Sequence, residues 1–130
     1  MVRGIGVDMV DVREIARFIA VSGDTFVNRT FTTREVIASK EAPNQAEYLA
    51  TRFAAKEAVF KAIAHNTGDK GFDLRIVETL NESDGFPYIN VSGELRALLD
   101  EAGVGSLLVS ISTEGDFVIA FVLAVSEREW

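Results

Sequence analysis

The chain has 130 residues, 48% of them hydrophobic, which suffices for one sizeable core and not for two independent ones, so a single domain over 1–130 is expected. A net charge of −7 and a pI near 4.7 argue against a general nucleic-acid surface, and the absence of cysteine excludes disulfides, metal thiolates and thiol nucleophiles. The chain opens without a basic region leading into an apolar signal core, and no apolar run reaches membrane-span length, so the expectation is a soluble cytoplasmic protein with no membrane partner.

Val2 to Asp8 is rich in glycine and β-branched residues and reads as a first strand whose backbone is closely approached. Asp11 is placed to cap a helix carrying the apolar stripe Val12, Ile15, Ala16 and Ile19 and ending near Ser22-Gly23. Thr32 and Glu35 have capping-box spacing for a short helix before Pro43. Asn44 to about Ala64 is the strongest helical segment, with a stripe through Ala55, Ala58, Val59, Ala62 and Ile63, closed by Asn66-Thr67-Gly68.

The second half changes character. Phe72 to Leu80 and Phe86 to Val91 read as a hairpin about a turn over Asn81–Gly85, and Gly93 to Ala102 as a helix ended by Gly103. Leu107 to Ser112 and Phe117 to Val125 read as a further strand pair around Glu114-Gly115-Asp116. Both alternation phases of the last strand are apolar, so both faces are expected to be buried, with a subunit interface as the second cover. A long central helix between strand-rich ends favours an α+β fold, the helix packed on an antiparallel-rich sheet.

Two segments carry the chemistry. Gly4-Ile5-Gly6-Val7-Asp8 ends a strand on a carboxylate, and Arg52-Phe53-Ala54-Ala55-Lys56-Glu57-Ala58-Val59-Phe60-Lys61-Ala62 presents Lys56, Glu57 and Lys61 from a helix. A magnesium ion commonly takes one or two protein carboxylates and completes its octahedron with phosphates and water, and Asp8 with Glu57 supply such a pair. Lys61, one turn beyond Glu57, reaches the same phosphate. The plainer alternatives are an ordinary turn aspartate and a surface Glu57–Lys61 ion pair. Gly4 and Gly6 permit close packing and do not form a Walker-type loop.

Together these segments resemble the holo-acyl-carrier-protein synthases, the small class of 4′-phosphopantetheinyl transferases. The likeness extends to Arg29-Thr30-Phe31-Thr32 with Glu35, to Gly85-Phe86-Pro87 and to Val109-Ser110-Ile111-Ser112. It implies a phosphopantetheinyl transferase fold and a homotrimer with active sites between subunits. It also implies a magnesium-dependent transfer of 4′-phosphopantetheine from coenzyme A to a serine of apo acyl carrier protein, in fatty acid or polyketide biosynthesis, releasing adenosine 3′,5′-bisphosphate.

By that resemblance Asp8 and Glu57 hold the metal, and Asp8, Glu57 and Lys61 are catalytic. Glu57, or a water it orders, takes the serine proton. Lys56 either binds phosphate or anchors its helix through a structural salt bridge, and Arg52 either meets the coenzyme A 3′-phosphate or solvates the helix. Gly85, Phe86 and Pro87 hold the adenine side or form a plain hairpin turn, and Ser112 and Thr113 of the late strand join the coenzyme A-binding set. Thr113 replaces a histidine usual in the family, and Phe86 a common basic residue, removing two cationic neighbours of the ligand. His65 has a solvent-facing role at a helix end.

An acidic carrier is repelled at long range by an acidic body, so docking falls to local clusters. Arg13 and Arg17, four residues apart, line one helical face and supply that patch, or are ordinary solvated charges. The competing readings of the whole chain are a noncatalytic carrier-binding or assembly subunit of the same fold, and a magnesium enzyme acting on another nucleotide diphosphate.

Overall fold

Glycine at alternate positions of the first strand lets a helix lie directly on a sheet, and the rest of the architecture follows from that contact. In the computed structural model, which describes residues 1–67 and 73–127, the chain runs β1 (Val2–Asp11), α1 (Val12–Ser22), α2 (Asp24–Thr30), α3 (Thr33–Glu41) and α4 (Gln45–Thr67). After one 3-10 turn (Leu74–Ile76) come β2 (Glu78–Asn81), β3 (Pro87–Asn90), α5 (Gly93–Ala102), β4 (Ser106–Glu114) and β5 (Phe117–Val125). The α+β expectation holds. Among the described residues no helix is long and apolar enough to cross a membrane.

The main sheet is antiparallel in the order β1-β5-β4, and β2 with β3 forms a separate hairpin. α4 covers one face of the main sheet. Its Ala50, Ala54, Ala58 and Ala62 are buried, as are Val118, Ala120, Val122 and Ala124 of β5. A Cβ on Gly4 would stand 1.8 Å from the Ala62 carbonyl oxygen, and one on Gly6 1.8 Å from that of Ala58. Methyl groups and hydrogens alone fit that seam, which brings the α4 backbone against β1.

The other face has no cover within one chain, which is the face the expected subunit interface would take. Phe117, Ile119 and Phe121 of β5 are each about 40% exposed, and Ile5, Val7, Met9 and Leu108 are exposed beside them. Within one chain the helices all lie on the opposite side, so only one phase of β5 is buried.

Local signals act as read in most places. The Asp11 side chain accepts from the Arg13 N–H at the start of α1, Thr32 and Glu35 form a reciprocal capping box on α3, and Gly103 ends α5 in the left-handed conformation at φ 75°. Two corrections concern the segments between. β1 continues to Asp11, and the strand expected from Phe72 to Leu80 reduces to Glu78–Asn81. Asp73 caps the 3-10 turn by accepting from the Arg75 N–H, and the Leu74 and Val77 carbonyls turn inward to the Lys56 ammonium, so this backbone cannot extend. Gly68 and Phe72, expected to close α4 and to open that strand, lie outside the described residues.

Candidate active site

Asp8 sits on the face of β1 that turns toward α4, in register with buried Ala120 of β5. Its side chain is only 17% exposed and pairs with Lys61, whose Nζ lies 3.0 Å from Asp8 Oδ1 and donates also to the Val7 carbonyl at 3.1 Å. Glu57, one helical turn before Lys61, completes the group. Burial raises the Glu57 pKa, the negative charge of Asp8 raises it further, and Lys61 opposes both. Two acids remote in numbering thus come within electrostatic reach of each other at one edge of α4, with Lys61 paired to Asp8.

Electrostatics and donor chemistry both suit a divalent cation here. Burial first, and the negative charge of Asp8 second, disfavour the ionised Glu57 carboxylate, and a bound cation would offset both. Two carboxylates with a neighbouring backbone carbonyl make a hard-oxygen set that fits magnesium, the rest of its shell coming from phosphate and water. Among the described residues no group of three or more His, Cys, Asp or Glu side chains is gathered, so the pair is what the chain offers.

Of the two alternatives read for Lys56, the salt bridge is the one the structure forms. Its side chain is fully buried, with Nζ 2.8 Å from Glu35 Oε1, and it donates to the carbonyls of Leu74, at 3.0 Å, and Val77. Its three donors are committed inside the protein, the geometry of a structural anchor.

Arg52 is 3% exposed. Its guanidinium stacks 4.2 Å over the Tyr48 ring and donates to Tyr48 Oη, Thr51 Oγ1 and Asn81 Oδ1. Burial lowers its pKa, and its Nε has no partner among the described residues. It lines a 280 Å³ depression with Asn44, Glu47, Tyr48 and Asn81. Asn81 in turn donates its amide to the Gly85 carbonyl at 2.7 Å, which ties Arg52 to the turn Gly85-Phe86-Pro87. Gly85 has φ 95°, open to glycine, and Phe86 is 70% exposed.

The structure therefore makes two groups of the expected residues. Arg52 and Glu57 point about 140° apart around α4, so the Arg52–Gly85 region and the Asp8–Glu57–Lys61 edge are distinct in one chain. Ser112 pairs with Ile119 on the uncovered face, while Thr113 pairs with Val118 on the helix side. Both are exposed. β5 separates their strand from β1, a spacing of roughly 10 Å, so one chain does not carry them to Asp8.

On α1, Arg13 and Arg17 are exposed, but Arg13 is engaged by Asp11 at 2.9 Å and by Asp116 at 3.6 Å, which dilutes the positive patch. Beside it lies a feature not read from the sequence, a run of aromatic rings from the 45% exposed Phe18 to Phe26 at 5.3 Å and on to Phe53 at 6.5 Å. The available signal was the phenylalanine following Arg17. His65 is exposed near the end of α4, as expected. A concavity of about 830 Å³ among Thr32, Ile37, Lys40, Arg75, Glu78 and Asn90 is lined by none of the expected site residues, so size does not mark the site.

The family model described as the 4′-phosphopantetheinyl transferase superfamily matches residues 4–122. The holo-[acyl-carrier-protein] synthase of Halothermothrix orenii is 39% identical over 123 residues, covering 95% of this chain and 97% of that protein. Among solved structures, the holo-[acyl-carrier-protein] synthase of Neisseria meningitidis superposes with a TM-score of 0.85 at 34% identity, covering 95% of this chain and 98% of that one. An ACPS–CoA complex from Chronobacterium ammoniagenes gives 0.81 at 30% identity, covering 96% and 98%.

Proposed function

The chain belongs to the 4′-phosphopantetheinyl transferase superfamily, and we infer that it transfers the 4′-phosphopantetheine arm of coenzyme A to a serine of an apo acyl carrier protein. The serine oxygen bonds to phosphorus, the pyrophosphate P–O bond breaks, and adenosine 3′,5′-bisphosphate leaves. The single observation that carries the assignment of the site is the meeting of Asp8, Glu57 and Lys61 at one edge of α4.

Asp8 and Glu57 would hold a magnesium ion, which when bound would neutralise the pyrophosphate and the charge developing on the leaving group. Lys61 leaves Asp8 and presents its ammonium to the transferring phosphate. Glu57, or a water it orders, accepts the serine proton. Arg52 and the Gly85-Phe86-Pro87 turn hold the nucleotide end, and Arg52 is suited to a phosphate because its buried guanidinium lacks an anionic partner among the hydrogen bonds it makes. Thr113 and Phe86 leave that end with less positive charge than the family usual.

The assembly is a homotrimer of one-domain chains. The uncovered apolar face of the sheet supports association, and the resemblance supplies the number three. A site between subunits also accounts for Ser112 and Thr113 standing away from Asp8 in one chain. Arg13 and Arg17 with Phe18 form the docking patch for the carrier, and the enzyme works in the cytoplasm. Retention of the Asp8–Glu57–Lys61 group favours this reading over a noncatalytic subunit.

Chelation followed by magnesium titration tests the site. Transfer is expected to stop on chelation and return with magnesium, and Asp8→Asn or Glu57→Gln to lower turnover by about 100-fold or more. Wild-type rates at saturating magnesium in both variants would contradict the assignment.

A further inference from the structure

We propose that Glu35, outside the site and shielded from solvent, is a positioning residue for the transfer, holding α4 at the rotation that aims Glu57 at Asp8. This rests on the reading of Asp8 and Glu57 as the metal-holding pair.

Glu35 and Lys56 are both fully buried, and their contacts reach four segments of the chain. Glu35 Oε1 accepts the Thr32 N–H at 2.9 Å and the Lys56 ammonium at 2.8 Å, and Oε2 accepts the Thr79 N–H of β2 at 3.0 Å. Lys56 also donates to the carbonyls of Leu74 and Val77. One carboxylate thus links the start of α3, the middle of α4 and the first strand of the hairpin, while the lysine adds the 3-10 segment. Stability alone does not account for such a pair. Burying two charges costs so much that a matched apolar pair often serves as well.

Rotational definition does account for it. The seam of α4 against β1 is alanine on glycine, with Ala58 and Ala62 over Gly6 and Gly4. A surface of methyl groups lets the helix come close but interlocks poorly, so it resists rolling weakly. Lys56 is the residue before Glu57, and its clamp fixes the azimuth of both. A carboxylate stands about 6 Å from the helix axis, so a roll of about 10° displaces it by roughly 1 Å. Binding constellations must be held within about 0.5 Å. Arg52, one turn before Lys56, faces the same way and is joined through Asn81 to Gly85, so the clamp also keeps the nucleotide-side turn in step with the metal edge.

The test replaces the pair and measures metal binding apart from activity. Glu35→Gln combined with Lys56→Met removes both charges at nearly constant shape. Mn²⁺ binding in the presence of coenzyme A is followed by electron paramagnetic resonance, beside thermal unfolding and steady-state kinetics. The unfolding midpoint falls because the Leu74 and Val77 carbonyls lose their donor, and the expected result, measured well below that midpoint, is Mn²⁺ affinity at least about threefold weaker, a lower kcat, and an unchanged KM for the carrier, which docks on α1. A smaller loss of affinity overturns the proposal. Should the double variant fail to fold, Thr32→Ala, which loosens the capping box that seats Glu35, is held to the same criterion. Asp8→Asn is run alongside. If it binds Mn²⁺ as wild type does, the metal site itself is wrong and this inference falls with it; if it loses binding while the clamp variants do not, only the role of Glu35 is refuted.

Discussion

Replacing Gly6 by alanine sets two effects of opposite sign against each other. Gly6 has an ordinary backbone conformation, and where the fold has room a Gly→Ala change stabilises by about 0.4–1 kcal/mol by restricting the unfolded chain. Here the new methyl would lie 1.8 Å from the Ala58 carbonyl oxygen and 2.8 Å from the Ala62 nitrogen. Both are helix backbone, so no side chain can swing away. Even the tightest tolerated Cβ contacts require α4 to retreat by at least about 1.2 Å, which opens the seam along Ala54, Ala58 and Ala62. Overpacking of this kind costs about 3 kcal/mol. The net loss of about 2–3 kcal/mol lowers the unfolding midpoint by about 10 °C. Urea and thermal unfolding followed by circular dichroism measure it directly. A variant as stable as wild type, or more so, would refute the claim that α4 rests backbone to backbone on β1.

Three other outcomes are expected. Glu57 in the metal-free protein should titrate above the ordinary glutamate range, and since the folded chain then holds its proton longer than the unfolded one, its contribution to stability declines as pH rises through that window. Carboxyl ¹³C NMR should show the Glu57 titration moving to lower pH in Asp8→Asn, and an unmoved curve would separate the two acids. Ile119→Asp with Phe121→Asp places charge on the uncovered sheet face and should yield a 14.2 kDa monomer in sedimentation; an unchanged assembly would put the interface elsewhere. Arg13→Glu with Arg17→Glu should raise the KM for carrier far more than for coenzyme A, the Arg17 change contributing more because Arg13 is already paired with Asp11. An unchanged carrier KM would remove the docking patch.

Where a structural feature depends on neighbours in sequence, it could be read there. Asp11, the Thr32–Glu35 box and Gly103 act through residues two to four positions away, and each performs as its spacing indicates. The partnership of Asp8 with Glu57 and Lys61 spans the chain and came from a motif resemblance, with i and i+4 spacing supplying only the helical half. α2 escaped notice because Asp24–Thr30 is a short helix without a side-chain cap and with only Val27 and Thr30 buried, which leaves no stripe to detect. Lys56 was ambiguous for a different reason. Its partner Glu35 lies 21 positions earlier, and a lysine beside Glu57 looks the same in sequence whether it faces solvent or core. That same buried ammonium draws in the Leu74 and Val77 carbonyls and so shortens the strand expected there. The alternation in β5 showed correctly that both faces are apolar, yet one chain covers only one of them.

The assigned reaction is tested most directly by intact-mass spectrometry of an apo acyl carrier protein incubated with this protein, coenzyme A and magnesium. A carrier heavier by one phosphopantetheine unit, formed with wild type and absent with Asp8→Asn, is the expected result. A carrier that binds the protein but keeps its original mass under wild-type conditions would contradict it, leaving a chain that retains the fold of a transferase without the transfer.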